Sequence, residues 1–192
     1  MLFATGEYRN IKYLPFSRKI LSLILKNKVK DIHDVKTYQD LFEKVVSQVV
    51  KNSINKFSVT GIENIKKDRG YLFISNHRDI TLDSALLNLS LHTNGFNTTN
   101  NAVGNNLLSE KWASDLMRLN KSFIIDRSDK SKKEIYKSLH LASEFIFNSI
   151  SERNQSIWIA QKQGRSKDGN DYTDPSVIKM IHLNARKRIP ID

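Results

Sequence analysis

The stretch YLFISNHRDITLD, residues 71–83, changes abruptly from apolar to charged side chains. Its apolar part lies between Gly70 and Ser75 and has the length and composition of a buried β-strand. Its charged part contains one histidine, one arginine and two carboxylates, namely His77, Arg78, Asp79 and Asp83. Because α/β folds place their chemistry where strands end, the stretch predicts an α/β fold with a site at this exit.

A histidine beside a carboxylate is the minimal unit of general-base catalysis. The carboxylate fixes the imidazole tautomer and stabilises the imidazolium that forms when the ring takes a proton. His77 is therefore the candidate base, and Asp79 and Asp83 are the nearby acids. The alternative is structural: Asp79 or Thr81 caps a helix that begins at Leu82, and the histidine merely lies close to it.

The composition limits the classes of protein to which the chain can belong. Its 192 residues, 39% of them hydrophobic, are enough for one substantial core. The lack of cysteine excludes disulfides, thiolate metal sites and thiol nucleophiles, and it suits a reducing cytoplasm. The five histidines show no metal-ligand spacing, so we expect no metal. No apolar run approaches the roughly 18 residues of a spanning helix, so we expect a soluble or peripheral protein.

The formal net charge of +11 predicts an anionic partner, which composition alone does not choose among nucleic acid, an anionic bilayer and phosphorylated metabolites. Residues 9–30 form a basic amphipathic segment that suits a membrane interface, or alternatively an ordinary surface helix. Thr37 and Asp40 resemble a capping box before an amphipathic helix that reaches Ile54. We expect an N-terminal helical segment over 1–56 and an α/β domain over 57–192.

From residue 57 onward, predicted strands alternate with predicted helices, which is typical of a mainly parallel or mixed sheet covered by helices. The predicted strands are 58–60, 71–75, 100–104, 122–125, 156–160 and 188–191. The predicted helices are 82–91, 109–117, 131–149 and one that starts at Asp174 and Pro175.

Three predicted strands end in charged clusters, and the carboxyl ends of parallel strands share one edge of a sheet. The clusters are those at His77, at Asp126 and Arg127, and at residues 163–167. One base with several cations suits transfer onto a hydroxyl of a phosphorylated acceptor. We expect Arg127, Arg165 and Lys167 to hold the phosphate oxygens through charge-assisted hydrogen bonds.

The order of these clusters resembles the glycerolipid acyltransferases, which act on glycerol-3-phosphate or 1-acylglycerol-3-phosphate. NHRDITLDSALL, residues 76–87, is similar to the family's first block, a histidine followed by four residues and an aspartate. Residues 121–127 resemble the second block, G-x-x-F-I-x-R, and residues 163–169 resemble the third, E-G-T-R-S or E-G-G-R-S-R-T-G. Residues 189–191 are similar to the fourth, an apolar strand containing proline.

The resemblance implies a function in phospholipid synthesis. His77 activates the acceptor hydroxyl for direct attack on a thioester of coenzyme A or acyl carrier protein, and Asp83 orients it. Arg127 and Arg165 fall where the family binds the acceptor phosphate. It implies no cofactor besides the acyl donor, and the expected partners are that donor, a glycerophosphate or lysophospholipid acceptor and an anionic membrane. We expect a cytoplasmic protein associated peripherally with the inner face of the cell membrane, and no binding to nucleic acid.

Four departures from the family pattern qualify this prediction. Five residues, not four, separate His77 from Asp83; Asp79 is the alternative partner but is a tight reach at two residues. Lys121 replaces the glycine of the second block. Gln163, which precedes Gly164, or Lys162 in another alignment, stands where the family has glutamate. The chain ends at residue 192, inside the fourth block, so we expect a truncated version with an incomplete sheet.

Two other functions stay open at this point. The departures favour a weak or inactive acyltransferase-like protein that binds lipid surfaces or acyl carriers. The charge of +11 also fits a basic nucleic-acid-binding module, although the sequence has no basic patch interleaved with aromatic residues.

Overall fold

The computed structural model describes residues 32–79, 82–105, 118–126, 131–166 and 168–186. The chain divides into two compact units, residues 1–41 and residues 42–192. The basic segment of residues 9–30, the predicted helix 109–117 and the predicted strand 188–191 lie outside the described residues. The expected domain boundary at residue 56 stays a prediction.

The described ranges contain four α-helices and four β-strands. The helices are α1 (Val35–Ser53), α2 (Leu82–Thr93), α3 (Lys132–Ser151) and α4 (Pro175–Ala185). The strands are β1 (Leu72–Ser75), β2 (Asn100–Gly104), β3 (Ser122–Ile125) and β4 (Ile157–Ala160). In this part of the chain, no helix has the length and apolarity that crossing a membrane requires.

The four strands form one parallel sheet in the order β1-β4-β2-β3. The α/β fold predicted from the sequence is therefore confirmed. β4 comes last along the chain but lies between β1 and β2, so its neighbours are both distant in sequence. All four carboxyl ends face the same edge, which we call the carboxyl edge; the opposite side is the amino edge.

The main core lies between the sheet and helices α3 and α4. Ile157 and Ile159 of the central strand β4 are 0% and 3% exposed. Burial of each such side chain contributes about 1.5–3 kcal/mol. They pack with Ile146 of α3 and Met180 of α4. A smaller cluster joins α1 to α2 through Val46, Ala85 and Leu89.

Local capping explains where helices α3 and α4 begin. The Ser131 hydroxyl accepts a hydrogen bond from the Glu134 amide while the Glu134 carboxylate accepts one from the Ser131 amide, a complete capping box. Asp174 caps α4 by accepting from the Ser176 amide, and Pro175 occupies the first turn. Both helix starts were predicted from the sequence and are confirmed.

Two local predictions were wrong. Residues 58–60 form no strand: they are exposed, and the chain continues through Gly61, with φ of +83°, into a short 3₁₀ turn, Ile62–Asn64. A strand needs a neighbour, and none of the strands among the described residues pairs with this segment. Thr37 does not start α1, because the Asp34 carboxylate already accepts from the Thr37 amide at 2.7 Å and α1 begins at Val35.

Candidate active site

A cavity of about 550 Å³ opens at the carboxyl edge of the sheet. Its polar lining comes from the loops that follow β1, β2 and β4 together with one buried indole: His77, Asn105, Trp158, Lys162, Gln163, Gly164 and Arg165. Its apolar wall comes mainly from strands and α4: Ala102, Val103, Ile125, Ile159, Ala160 and Val177. A mainly apolar cavity with a few convergent polar groups is typical of small-molecule sites.

His77 and Asp83 form a close pair beside this cavity. The Nδ1 atom of His77 lies 2.8 Å from Oδ2 of Asp83, and both side chains are 17% exposed. Since an ionised carboxylate can only accept, Nδ1 carries the proton and the ring's other nitrogen, Nε2, is the acceptor. This is the tautomer that a general base requires.

The Asp83 carboxylate also shapes the turn between β1 and α2. The same Oδ2 atom accepts hydrogen bonds from the backbone amides of Arg78, at 2.8 Å, and Asp79, at 3.1 Å. These bonds bring the first turn of α2 to the strand exit. They explain how the acid reaches the ring with five residues between the two instead of four.

Asp79, the alternative partner, has a structural role at the start of α2. Its Oδ1 atom accepts from the amide of Leu82 at 2.8 Å, as a helix-capping carboxylate does. The carboxylate at hydrogen-bond distance from His77 Nδ1 is that of Asp83. Asp83 therefore pairs with the histidine and Asp79 caps the helix, while the catalytic role of the pair stays a prediction.

The loop that follows β4 is tied directly to the exit of β1. The amide of Ser166 donates to the carbonyl oxygen of His77 at 2.7 Å. Asp171 accepts from the Arg78 guanidinium at 2.5 Å and from the Asn76 side-chain amide at 3.2 Å. These two donors hold the pKa of Asp171 below its usual value.

Arg165 and Gln163, two residues of the third block, line the same cavity as His77. Gly164 between them has φ of +73°, in the left-handed region that favours glycine. Lys162 also lines the cavity; its amine donates to the carbonyl of Asn170 at 3.0 Å and lies 4.4 Å from the centre of the Tyr172 ring. Two other predicted phosphate ligands, Arg127 and Lys167, lie outside the described residues.

Sequence reasoning missed two residues of this site. Trp158 is not among the predicted site residues, yet its ring contacts that of His77. Asn105, whose side-chain amide donates to Asp126 at 2.9 Å, was not considered. The signal for Asn105 was present, because it directly follows a predicted strand and strand ends share one edge.

Lys121, where the second block has glycine, lies at the amino end of β3 and not at the cavity edge. Its φ of +53° is in the left-handed region, which explains why a glycine suits this position. The amine donates to the carbonyl of Thr98 at 3.1 Å, and burial lowers the pKa of Lys121. The substitution therefore affects the backbone far from the histidine.

Comparison with known proteins identifies the family of this chain. A sequence model of the acyltransferase family matches residues 56–171, which contain the first three blocks. The chain belongs to the acyltransferase family. A comparison with curated proteins gives no significant match.

Among solved structures, this acyltransferase-family chain is similar to PlsC, the 1-acyl-sn-glycerophosphate acyltransferase of Thermotoga maritima. The TM-score is 0.58 at 17% sequence identity, so the likeness is one of fold. The match covers 86% of this chain and 62% of the Thermotoga protein.

Proposed function

We propose that this acyltransferase-family chain moves a fatty acyl group from a thioester to a hydroxyl of a glycerophosphate. The donor is acyl-CoA or acyl carrier protein, and the acceptor is glycerol-3-phosphate or lysophosphatidate. The observation that carries the proposal is the His77–Asp83 pair at 2.8 Å, beside a cavity that Arg165 also lines. The activity for which the Thermotoga protein is named supports lysophosphatidate as the acceptor class.

In the proposed reaction His77 is the general base. Its Nε2 atom takes the proton of the acceptor hydroxyl while that oxygen attacks the thioester carbonyl. The new C–O bond forms, the C–S bond breaks, and the imidazolium returns the proton to the leaving thiolate. Asp83 stabilises the imidazolium, and such base catalysis contributes about 10²–10⁴-fold to a rate. No acyl-enzyme is required, which suits a chain without cysteine.

Cations around the cavity supply the affinity for the acceptor phosphate. Arg165 lines the cavity directly, and Arg127 and Lys167 are proposed to join it. A guanidinium suits this role because its planar fork matches two phosphate oxygens at once. The apolar wall suits the acyl part of the donor. We propose that the basic chain works peripherally at the inner, anionic face of the cell membrane.

The test is thiol release by the purified chain, given each acyl donor with each acceptor. His77→Ala should lower the rate by about 10²–10⁴-fold, because the base is lost. The matched control is His140→Ala, which removes a partly exposed histidine from helix α3. If His77→Ala releases thiol as fast as wild type, the base is wrongly assigned.

A second candidate function is a catalytically weak protein that binds lipid surfaces or acyl carriers. It is favoured by one observation: Lys162 and Gln163 line the cavity where the family has glutamate. Under this alternative the wild-type chain binds anionic vesicles but releases no thiol. Gln163→Glu would then restore release, whereas under the first proposal wild type already releases thiol.

A further inference from the structure

Trp158 of β4 is in contact with the candidate base. It is 5% exposed and lines the cavity. The centre of its ring lies 6.2 Å from that of His77, with 73° between the ring planes, an edge-to-face arrangement. Such aromatic pairs have a preferred geometry, so one ring restricts the orientation of the other.

A directed chain of hydrogen bonds fixes the indole itself. Its Nε1–H group donates to the hydroxyl oxygen of Ser75 at 2.9 Å. That hydroxyl donates its single proton to the carbonyl oxygen of Asn76, also at 2.9 Å. The pairing of β1 with β4 brings the indole and this hydroxyl together. Phe73 lies opposite Trp158, so Ser75 lies diagonally across from the tryptophan.

The backbone on both sides of His77 is therefore held. The carbonyl before it, of Asn76, accepts from Ser75, and its own carbonyl accepts from the Ser166 amide at 2.7 Å. These backbone bonds do not fix the orientation of the imidazole ring. The ring turns about the Cα–Cβ and Cβ–Cγ bonds; the hydrogen bond from Nδ1 to Asp83 restricts this turning at one edge of the ring, and the indole packed against the ring restricts it further.

We infer that Trp158 is a positioning residue of the acyl transfer: it sets the plane of the His77 ring so that Nε2 meets the acceptor hydroxyl. This inference rests on the proposed function. Beyond its packing, the tryptophan supplies an N–H donor for Ser75, which a phenylalanine would lack. General bases need a placement of this kind, since a misplacement of about 1 Å can lower a rate by 10²-fold.

The experiment measures kcat and KM for four single variants and one double variant in the thiol-release assay. Trp158→Phe and Ser75→Ala should each lower kcat by about tenfold with KM unchanged for both substrates, because the base is misplaced and binding is not. Ser75→Thr keeps the hydroxyl and should keep kcat. The double variant Trp158→Phe/Ser75→Ala should be no worse than the poorer single variant, since both break one chain.

The matched control is Phe73→Leu, which truncates the aromatic residue that pairs with Trp158 in β1. It should lower stability and leave kcat intact. Equal kcat losses in Trp158→Phe and Phe73→Leu, or a rise in KM that matches the fall in kcat, would overturn the inference. If Trp158→Phe does not fold, Ser75→Ala decides, because it leaves the packing of the indole in place.

A second readout separates this inference from the proposed function. In the substrate-free protein, the NMR signals of the His77 ring, assigned through His77→Ala, report its surroundings without turnover. Ser75→Ala should shift or broaden them and Phe73→Leu should not. If Ser75→Ala shifts the His77 signals but the wild-type chain releases no thiol, the positioning of the ring by Trp158 is supported and the proposed acyl transfer is wrong. If the His77 signals are unchanged in Ser75→Ala, the inference that Trp158 positions the ring is wrong.

Discussion

The two edges of the sheet both carry polar side chains, but they use them differently. At the carboxyl edge, His77 and Arg165 line a cavity that is open to a ligand. At the amino edge, Thr99 and Asn101 are 1% and 2% exposed and hydrogen bond to each other. Polar residues at strand ends therefore indicate chemistry only where part of their hydrogen-bonding capacity is left to a ligand.

The polar groups at the amino edge form a network that joins α2, β2 and the turn before β3. The Thr99 amide donates to the Asn88 side chain at 2.7 Å, and the Thr99 hydroxyl donates to the Asn101 side chain at 2.8 Å. Asn101 in turn donates to the carbonyl of Asn120 at 3.0 Å. Buried polar groups are tolerated because they are paired in this way. We expect changes at this edge to affect stability and changes at the other to affect turnover.

The largest expected effect comes from Asp83→Asn at the carboxyl edge. The amide can no longer hold His77 in the required tautomer or stabilise the imidazolium, so kcat in the thiol-release assay should fall by about 10²–10⁴-fold, up to the loss expected for His77→Ala. A fall of less than tenfold would mean that Asp83 does not act through the histidine.

Asp79→Ala is the matched control for that variant. It removes the helix cap at Leu82 and should lower the free energy of unfolding by about 0.5–2 kcal/mol, measured by urea denaturation. Its kcat should stay far closer to wild type than that of Asp83→Asn. The reverse order of activities would make Asp79 the functional acid.

The next largest effect is expected at the amino edge, from Asn101→Ala. This substitution leaves the Asn88 side-chain amide and the half-buried Asn120 carbonyl without this partner, whereas the Thr99 hydroxyl can still donate to Oδ1 of Asn88 at 3.0 Å. Each unsatisfied group costs about 1–3 kcal/mol, so the free energy of unfolding should fall by roughly 2–5 kcal/mol while kcat stays near wild type.

Asn100→Ala, in the same strand, is the control for this network. Asn100 is only half-buried, and its side-chain bonds to Gln155 and Ser156 are long, at 3.3 and 3.4 Å. The urea midpoint should therefore change much less than in Asn101→Ala. Equal urea midpoints for Asn100→Ala and Asn101→Ala would show that the buried hydrogen-bond network adds no stability.

The site at the carboxyl edge was predictable from sequence because the pattern is local: charged residues lie in the loops that follow apolar strands, as His77 does after β1 and Arg165 does after β4. The contact of Trp158 with His77 was not, because it requires β4 to lie beside β1, an arrangement that the order of elements does not reveal. The pairing of the buried asparagines was not predictable for the same reason. Whether the Asn101 side chain forms hydrogen bonds within the protein or with water depends on the order of the strands, not on its neighbours in sequence.

A smaller effect at the amino edge concerns the backbone of Lys121, whose φ is +53°. Lys121→Ala and Lys121→Gly both remove the amine that donates to Thr98, so their difference isolates the backbone conformation. A left-handed residue other than glycine costs roughly 1–2 kcal/mol. The glycine variant should be more stable than the alanine variant by about that amount in urea denaturation. Equal stability would show that this conformation carries no strain.

The smallest effect is expected from Asp171, which links the two loops of the carboxyl edge. Arg78 and Asn76 hold its pKa below the usual 3.8, so the folded chain binds this proton less tightly than the unfolded chain does. The stabilisation is therefore fully present above pH 3.8 and is lost as the pH falls through the lower, folded value. Because the ion pair is largely exposed, salt should weaken it. In Asp171→Asn the urea midpoint should fall less steeply between about pH 5 and pH 2 than in wild type.

Asp68→Asn, which removes an exposed carboxylate from the turn before β1, is the control. If Asp171→Asn loses stability in acid as steeply as Asp68→Asn does, the two loops are held together by their backbone bond from Ser166 to His77 and not by this ion pair.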